Sequence, residues 1–531
     1  MRINYKQLPV AIFILLLFSG CVRKNYFAKT PVADASVLQK LQQNPTALDS
    51  VTVIAGKHYD RSGFHNLFWG KHYRNVWAAP VKVPVFEMDT IKGGLAFTKL
   101  GGGFQTTSMT LTDKQGKQYA LRSLDKDPYV VLPKAWRHTV ALDLLRDQTS
   151  AANPYGALIV APLAAAAGIP HSTPSLVYVR PNDSDFGENK ALFSDKLFLI
   201  ENKFDSEKDL TPLIEKANDI DGSTTVLNKR FSENDVHFDA LAFAKARLFD
   251  LLIGDWDRHM GQWEWAQFKQ KGETIYRPIP KDRDNAFFRF HDGIFPWLFS
   301  RNWGIRKFTS FTKEYKDVKD LTINAEFIDQ RVLPAVTRQQ FDSLAQVLQS
   351  ELTDAVIEKA VHHFPAPVFK LTGPVTIARL KSRRDLLPEA AKTFYTILAE
   401  EPIVAGTDEE ERFVVKRLND KDTEVTVYRK SDEYVLFHRI FHRSETKLIS
   451  LYGLRGNDTF EVSGKVNEGI KVKIVGGLGE DKIKDTSEVA HGGKKTWVYD
   501  TERGTQLEEG PTTKDKRTRD VRVHAFDREG F

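Results

Sequence analysis

The residues best suited to chemistry lie in two short stretches. The first is Gly254-Asp255-Trp256-Asp257-Arg258-His259-Met260-Gly261-Gln262, directly behind an apolar run that ends at Ile253. The second is Ile279-Pro280-Lys281-Asp282-Arg283-Asp284-Asn285-Ala286-Phe287, with Asp282 twenty positions beyond Gln262. Acids and amides grouped in this way suit phosphoryl transfer. One carboxylate orients and deprotonates an acceptor hydroxyl, while other oxygens hold Mg²⁺ against the phosphates. On that reading Asp257 is the base, flanked by Arg258 and His259, and Gln262 with Asp282 or Asp284 holds the metal. The same residues also suit a plain ion-pair network in which Arg258 and Arg283 neutralise the acids.

A phosphate site needs donors as well as acids. Gly101-Gly102-Gly103 stands between two predicted strands, where the lack of Cβ atoms lets backbone N–H groups approach phosphate oxygens. A simple hairpin turn explains the same glycines. Arg122 and Lys126 follow on the next predicted strand and at its end, as candidate phosphate-binding cations. Asp143 or Asp147 on the helix after it would orient the cation.

These residues require a scaffold of strands, then a helix, then a hairpin. Alternation predicts strands at 85–88, 94–98, 106–112 and 118–124. Helices are predicted at 134–152 and 158–167, the second ended by Gly168, with strands at 173–179 and 191–200. A strongly apolar helix over 239–253 delivers the first acidic stretch. Strands 263–268 and 274–279, turning at Lys271-Gly272, carry the chain to the second. Helices fill 334–400. Residues 412–485 alternate β-branched and aromatic residues between glycine turns, which predicts a β domain.

At this point the residues resemble a family. Asp257-Arg258-His259-x-x-Gln262 is similar to the Asp-Arg-His-x-x-Asn loop of phosphatidylinositol kinases and HipA-type kinases. Ile279-Pro280-x-Asp282-x-Asp284-x-x-Phe287 resembles the metal-binding segment of the CotH spore-coat kinases. A further likeness is to exported bacterial lipoproteins that carry the phrase Gly254-Asp255-Trp256-Asp257-Arg258-His259. The resemblance spans about 90–400 in motif order, with few close matches. It implies an α+β fold with a bilobal kinase-like domain (β-rich N-lobe, helical C-lobe), ATP between the lobes and Mg²⁺. Asp257 then takes the base position and Arg122 the place of a lysine, and Ile200-Glu201 falls at the interlobe hinge. Gln262 in place of Asn and Arg122 in place of Lys are departures, since a guanidinium fork is a different phosphate ligand from an ammonium.

The start of the chain reads differently. Arg2 and Lys6 precede the apolar run Val10 to Phe18, and Leu17-Phe18-Ser19-Gly20-Cys21 resembles a lipobox. Cys21 is the one cysteine in 531 residues, so lipidation suits it better than a disulfide. The expectation is an exported protein held to the cell envelope, most simply the outer membrane, by lipid on Cys21. The formal charge of +6 is dispersed, without a basic run, so nucleic acid is not an expected partner.

The expected organisation is a signal peptide 1–20, a docking segment 21–80, and a kinase-like domain 81–400 whose lobes are about 81–205 and 206–400. A small all-β domain 401–500, with a solenoid among its candidate architectures, and a charged tail 501–531 follow. Within the β domain, Gly453-Leu454-Arg455-Gly456-Asn457-Asp458 and Gly476-Gly477-Leu478-Gly479-Glu480-Asp481 are similar to single Ca²⁺-binding β-roll repeats. Two copies are not a tandem array, so Asp458 and Asp481 as plain caps of glycine corners are the favoured explanation. Three functions remain open: ATP-dependent phosphoryl transfer to a protein, lipid or glycan; an inactive kinase-fold binding module of the envelope; and a metal-dependent hydrolase. The last is disfavoured because His259 is the lone histidine in the two stretches.

Overall fold

The computed structural model describes residues 23, 25–27, 32, 34–44, 48–101, 105–301 and 304–530. The leader 1–20, Cys21, Gly102 and Gly103 lie outside the described residues. The fold is α+β, and its strands fall into several separate sheets. No helix among the described residues is long and apolar enough to cross a membrane.

The first large sheet has five strands, in spatial order Leu95–Gly101, Ser108–Asp113, Gln118–Ser123, Lys196–Asn202 and Ser175–Val179, all antiparallel neighbours. Met109, Leu111, Leu121, Val177, Phe198 and Ile200 bury one face of it against Phe86, Phe186 and Phe193. Three expectations shift here. Residues 85–88 make only an isolated bridge, Val85 to Tyr178, because their backbone hydrogen bonds are divided among Asp49, Tyr178 and Leu95 and form no continuous ladder. The start of the predicted 191–200 strand is instead the helical turn Lys190–Phe193. The predicted 134–152 helix shortens to Val140–Gln148 between two 3₁₀ turns, capped by the Thr139 side chain.

The helical half is built round Ala240–Ile253, whose residues from Phe243 onward are nearly all buried. Asp239 caps its start, its side chain accepting the Ala242 N–H at 3.0 Å. Helices Arg338–Glu351, Ala366–Asp385 and Leu387–Glu400 pack round it. Beside it lies a four-stranded sheet with the antiparallel hairpin Trp263–Gln270 and Glu273–Pro280 at its centre.

From Ile403 the chain winds into two stacked sheets. Ile403–Ala405, Leu448–Arg455, Lys471–Leu478, Thr496–Tyr499 and Thr513–Asp515 form one, all in parallel. Glu411–Arg417, Thr459–Ser463, Asp481–Asp485 and Thr505–Glu508 run in parallel in the other, whose far edge is the antiparallel pair Asp422–Arg429 and Val435–His442. Phe413, Phe460, Ile474, Ile483 and Val498 fill the space between them. The strands continue to Asp515, so part of the stretch read as a charged tail belongs to this body. Short strands alternating buried and exposed residues need few apolar positions, which hid them from composition.

Asp458 and Asp481 are buried inside this winding. The Oδ1 of Asp458 accepts the Glu411 N–H at 2.8 Å, and that of Asp481 accepts the Asp458 N–H at 2.9 Å. Among the described residues, their Oδ2 atoms, with that of Asp500, have no hydrogen-bond partner. Gly453 and Gly476 make room for them, since a Cβ at either glycine would lie 2.1 to 2.5 Å from these carboxylate oxygens or a backbone carbonyl. Burial pushes Asp458 up to about 9 and Asp481 to about 7. Their carboxylates thus serve the neighbouring turn of backbone. Among the described residues no group of three or more His, Cys, Asp or Glu side chains is placed to hold a metal ion.

Candidate active site

Helix Ala240–Ile253 ends on Gly254 at φ +67°, a left-handed conformation that only glycine adopts without cost, with Phe311 packed 3.1 Å from where a Cβ would stand. Arg383 donates to the Leu251 and Leu252 carbonyls at 2.5 and 2.9 Å, satisfying the buried helix end. The chain is thereby turned sharply, and Asp255 to His259 follow in a fixed loop.

The hairpin then sets the distance to the second stretch. Its register pairs Trp263 with Pro280 and Gln270 with Glu273, closing through Lys271 (φ +53°) and Gly272 (φ +88°). The pairing carries past the strands, for the Lys281 N–H donates to the Gln262 carbonyl at 3.1 Å. The two stretches are therefore side by side. Asp282 (φ +56°) and Phe287 (φ +61°) both take left-handed backbone, a conformation costing a non-glycine residue roughly 1–3 kcal/mol and typical of functional loops.

The arginines and acids of the two motifs part company here. Arg258 is fully buried, donating to Asp250 at 3.2 Å and to the Lys281 and Gln262 carbonyls at 2.7 and 3.0 Å. Arg283 pairs with the same Asp250 at 2.7 Å, as does Arg247 at 3.0 Å. Asp250 sits wholly out of solvent. Burial alone would raise it, but three guanidiniums outweigh that and hold its carboxyl below the usual range. Arg258 is thus turned inward with Arg247 and Arg283 onto an acid of the preceding helix, and none of the three pairs with Asp257, Asp282 or Asp284.

Asp282 and Asp284 face the five-stranded sheet. Arg122 Nη1 meets Asp282 Oδ1 at 2.8 Å, and Arg122 Nε lies 3.6 Å from Glu201. Lys126 Nζ pairs with Asp284 Oδ2, and Asn285 donates to Asp284 Oδ1 at 3.0 Å and more weakly to Asp257 Oδ2 at 3.4 Å. Asn324 donates to Asp257 Oδ1 at 2.8 Å. The neighbouring Asp282 carboxylate is the strongest influence on Arg122 and raises it further. Asp284 is raised, first by burial and then by repulsion from Asp282, whereas the facing cations hold Asp282 low despite its burial.

Other expected residues sit elsewhere. Gln262 is buried with its amide 3.5 Å from the His259 ring, and no hydrogen bond joins it to Asp257 or Asp284. His259 is exposed and caps the following turn by accepting the Gly261 N–H at 3.1 Å. Glu201 lies near the end of strand Lys196–Asn202, paired with Ala120, and Ser172 donates to it at 2.6 Å. Asp147 pairs with Arg74, Arg61 and His65, and Asp143 with Arg23 and Arg146, so neither orients Arg122. Asn285 and Asn324 were missed. Asn285 follows Asp284 directly and its amide was a visible candidate, while nothing near Asn324 marks it.

Gly101 ends the first strand opposite Ser108. The far side of that loop is tied down over the cleft, with the Thr107 N–H donating to Ser123 Oγ at 3.1 Å and the Asp127 N–H to the Gln105 carbonyl at 2.9 Å. Ser123 and Lys126 belong to the walls of two adjoining cavities. The one reaching Arg122, Asp282 and Asp284 is small, about 60 Å³, and the one bounded by Gln105, Thr107 and Asp125 is about 310 Å³.

No protein-family model and no curated protein matches the chain. Among solved structures, it is similar to the Helicobacter pylori proinflammatory kinase CtkA, with 11% identity and a TM-score of 0.27 over 57% of this chain and 98% of that one. It also matches HipA of Shewanella oneidensis, solved with HipB and operator DNA, at 12% identity and a TM-score of 0.22, over 74% of this chain and 79% of that one. Both are below the level at which likeness of fold adds to what the side chains show.

Proposed function

We propose that the cleft between the five-stranded sheet and the hairpin binds a phosphorylated ligand and transfers a phosphoryl group, as an atypical kinase-like domain would. One observation carries the reading. Two cations from the sheet side, Arg122 and Lys126, meet two acids from the hairpin side, Asp282 and Asp284, with Asp257 bridged to Asp284 by Asn285. The arginines able to neutralise those acids locally are turned inward to Asp250.

Opposite charges drawn together across a cleft suit a site that exchanges partners. With a phosphate present, Arg122 and Lys126 would move to its oxygens, which relieves both acids of their counter-charges. Asp284, Asp257 and the Asn285 carbonyl then form an oxygen-rich set fitting Mg²⁺. Such an ion would neutralise charge on the phosphate. Asp257 is placed to accept the proton of an acceptor hydroxyl, and Asn324 fixes its orientation. The small cavity at the ion pairs requires these pairs to open on binding. That closure also favours the second reading, a binding module whose cleft stays locked by its own salt bridges.

The test is thermal unfolding of the chain with and without MgATP, beside Asp284→Asn and Lys126→Ala. A rise in Tm with MgATP that either substitution abolishes supports the site. An unchanged Tm for every nucleotide leaves the locked module. On the sequence reading, the chain is exported and held to the envelope by lipid on Cys21, which places this chemistry beside a membrane.

A further inference from the structure

We propose that the paired helices Gly63–Trp69 and Ile294–Phe299 form a face that lies on an anionic lipid bilayer. The two helices pack on each other through Phe68 and Phe295, whose rings are 5.8 Å apart, and through Gly293, where a Cβ would strike the Gly70 backbone at 2.2 Å. What they leave outside is apolar. Phe64 is 76% exposed, Leu67 57% and Trp297 48%, with Ile294, Leu298 and Ile305 also open to solvent. Single exposed apolar residues are ordinary, but a contiguous group of this kind marks a surface with a partner.

Charge identifies the partner. Residues 61–71 and 293–307 contain Arg61, Lys71, Arg301, Arg306 and Lys307 and no Asp or Glu. Lys71 and Arg301 are exposed without a carboxylate partner among the described residues, and the Arg301 guanidinium lies 4.0 Å over the Trp297 ring. Arg61 and Arg306 are paired with Asp147 and Asp320, so the surplus positive charge beside the aromatic and aliphatic side chains rests on Lys71 and Arg301, and that combination matches the headgroup region of an anionic membrane.

The path of the chain supplies the second argument. Arg23 donates its N–H to Asp143 at 2.9 Å, and Tyr26 lies under Arg61 and Arg146. One turn along the same helix, Asp147 holds His65 at 3.0 Å, and His65 is the neighbour of Phe64. Cys21 is two residues before Arg23, about 7 Å of extended chain. A lipid on Cys21 would thus enter its bilayer within roughly 25 Å of Phe64. This argument rests on reading Cys21 as the lipidated residue; the exposed face and its charge do not.

The test uses the full chain in phosphatidylcholine vesicles, with and without about a third phosphatidylglycerol, and with lipids brominated near the headgroup. The leader contains no tryptophan, so quenching reports the body. Expected is bromine quenching of a component that Trp297→Phe removes, stronger with anionic lipid, and at least halved in Phe64→Ser/Leu67→Ser. A Trp297 contribution that bromine leaves unquenched, or that neutral and anionic vesicles quench equally, overturns the face, and in the first case a protein partner or second copy takes its place. Vesicle flotation of Cys21→Ser from cells separates the other premise. If flotation is unchanged while quenching is lost by the face substitutions, the lipid reading fails and the docking face stands.

Discussion

The acids buried in the C-terminal winding make its stability fall as pH rises, opposite to the usual behaviour of paired carboxylates. Asp458 is 1% exposed and, among the described residues, has an oxygen without a partner; burial first, then the facing Glu411 and Asp481 carboxyls, push it up to about 9 against the opposing Glu411 N–H hydrogen bond and the Lys430 ammonium. Unfolded, it titrates near 3.9. The folded form therefore holds a proton that the unfolded form releases, so its contribution is whole below about pH 4 and is lost progressively up to about pH 9. Over that window one such group costs the fold about 1.4 kcal/mol per pH unit, or about 4 kcal/mol from pH 5 to pH 8. Asp481 and Glu411, each raised to about 7, steepen the fall until they ionise. Amide exchange of strand Lys471–Leu478 at several pH values reads the local opening free energy. Asp458→Asn, neutral throughout, should flatten the profile so that its difference from the parent changes by about 4 kcal/mol between pH 5 and 8. A parent profile that is level or rising over this range would refute the reasoning. If a calcium chelator then lowered it, ionised acids holding Ca²⁺ would replace protonated ones.

Other outcomes follow from single contacts. Asp250→Ala leaves Arg247, Arg258 and Arg283 buried around an absent charge and should cost about 3–5 kcal/mol or prevent folding, as read by denaturant unfolding. Gly254→Ala forces a Cβ into left-handed backbone against Phe311 and should lower stability by about 1–2 kcal/mol in the same assay. Arg383→Met frees the Leu251 and Leu252 carbonyls and should cost about 2–4 kcal/mol. Asp284 ionises above the usual carboxylate range because of burial and Asp282, so any MgATP-induced rise in Tm should weaken as pH falls toward 5, and Asp284→Asn should abolish both the rise and its pH dependence.

Much of the fold was legible where pattern and chemistry agreed. The 239–253 helix shows in its apolar run and the Lys271-Gly272 turn in its place between two predicted strands, and the structure has both within a residue or two. The 85–88 stretch alternates like a strand, but its backbone hydrogen bonds are divided among separate partners that only tertiary packing reveals. In the site, the sequence could group the acids by the hairpin between them. It could not show which arginines would turn inward, because Asp250 lies in the helix and carries no motif. Gln262 fits a motif by position alone, whereas Asn285 holds the bridging place between Asp257 and Asp284, just after the chain turns at Asp282.

The antiparallel ladder from Trp263 to Pro280 acts as a ruler. Its rungs set the separation of the two acidic stretches, and its tip at Lys271-Gly272 is far from both. A nick there, or new chain ends made by circular permutation, would leave the spacing written in backbone hydrogen bonds. A chain cut at that tip would divide the acids between two fragments, Asp257 on one and Asp282 with Asp284 on the other, and only the ladder's own pairing would bring them back together.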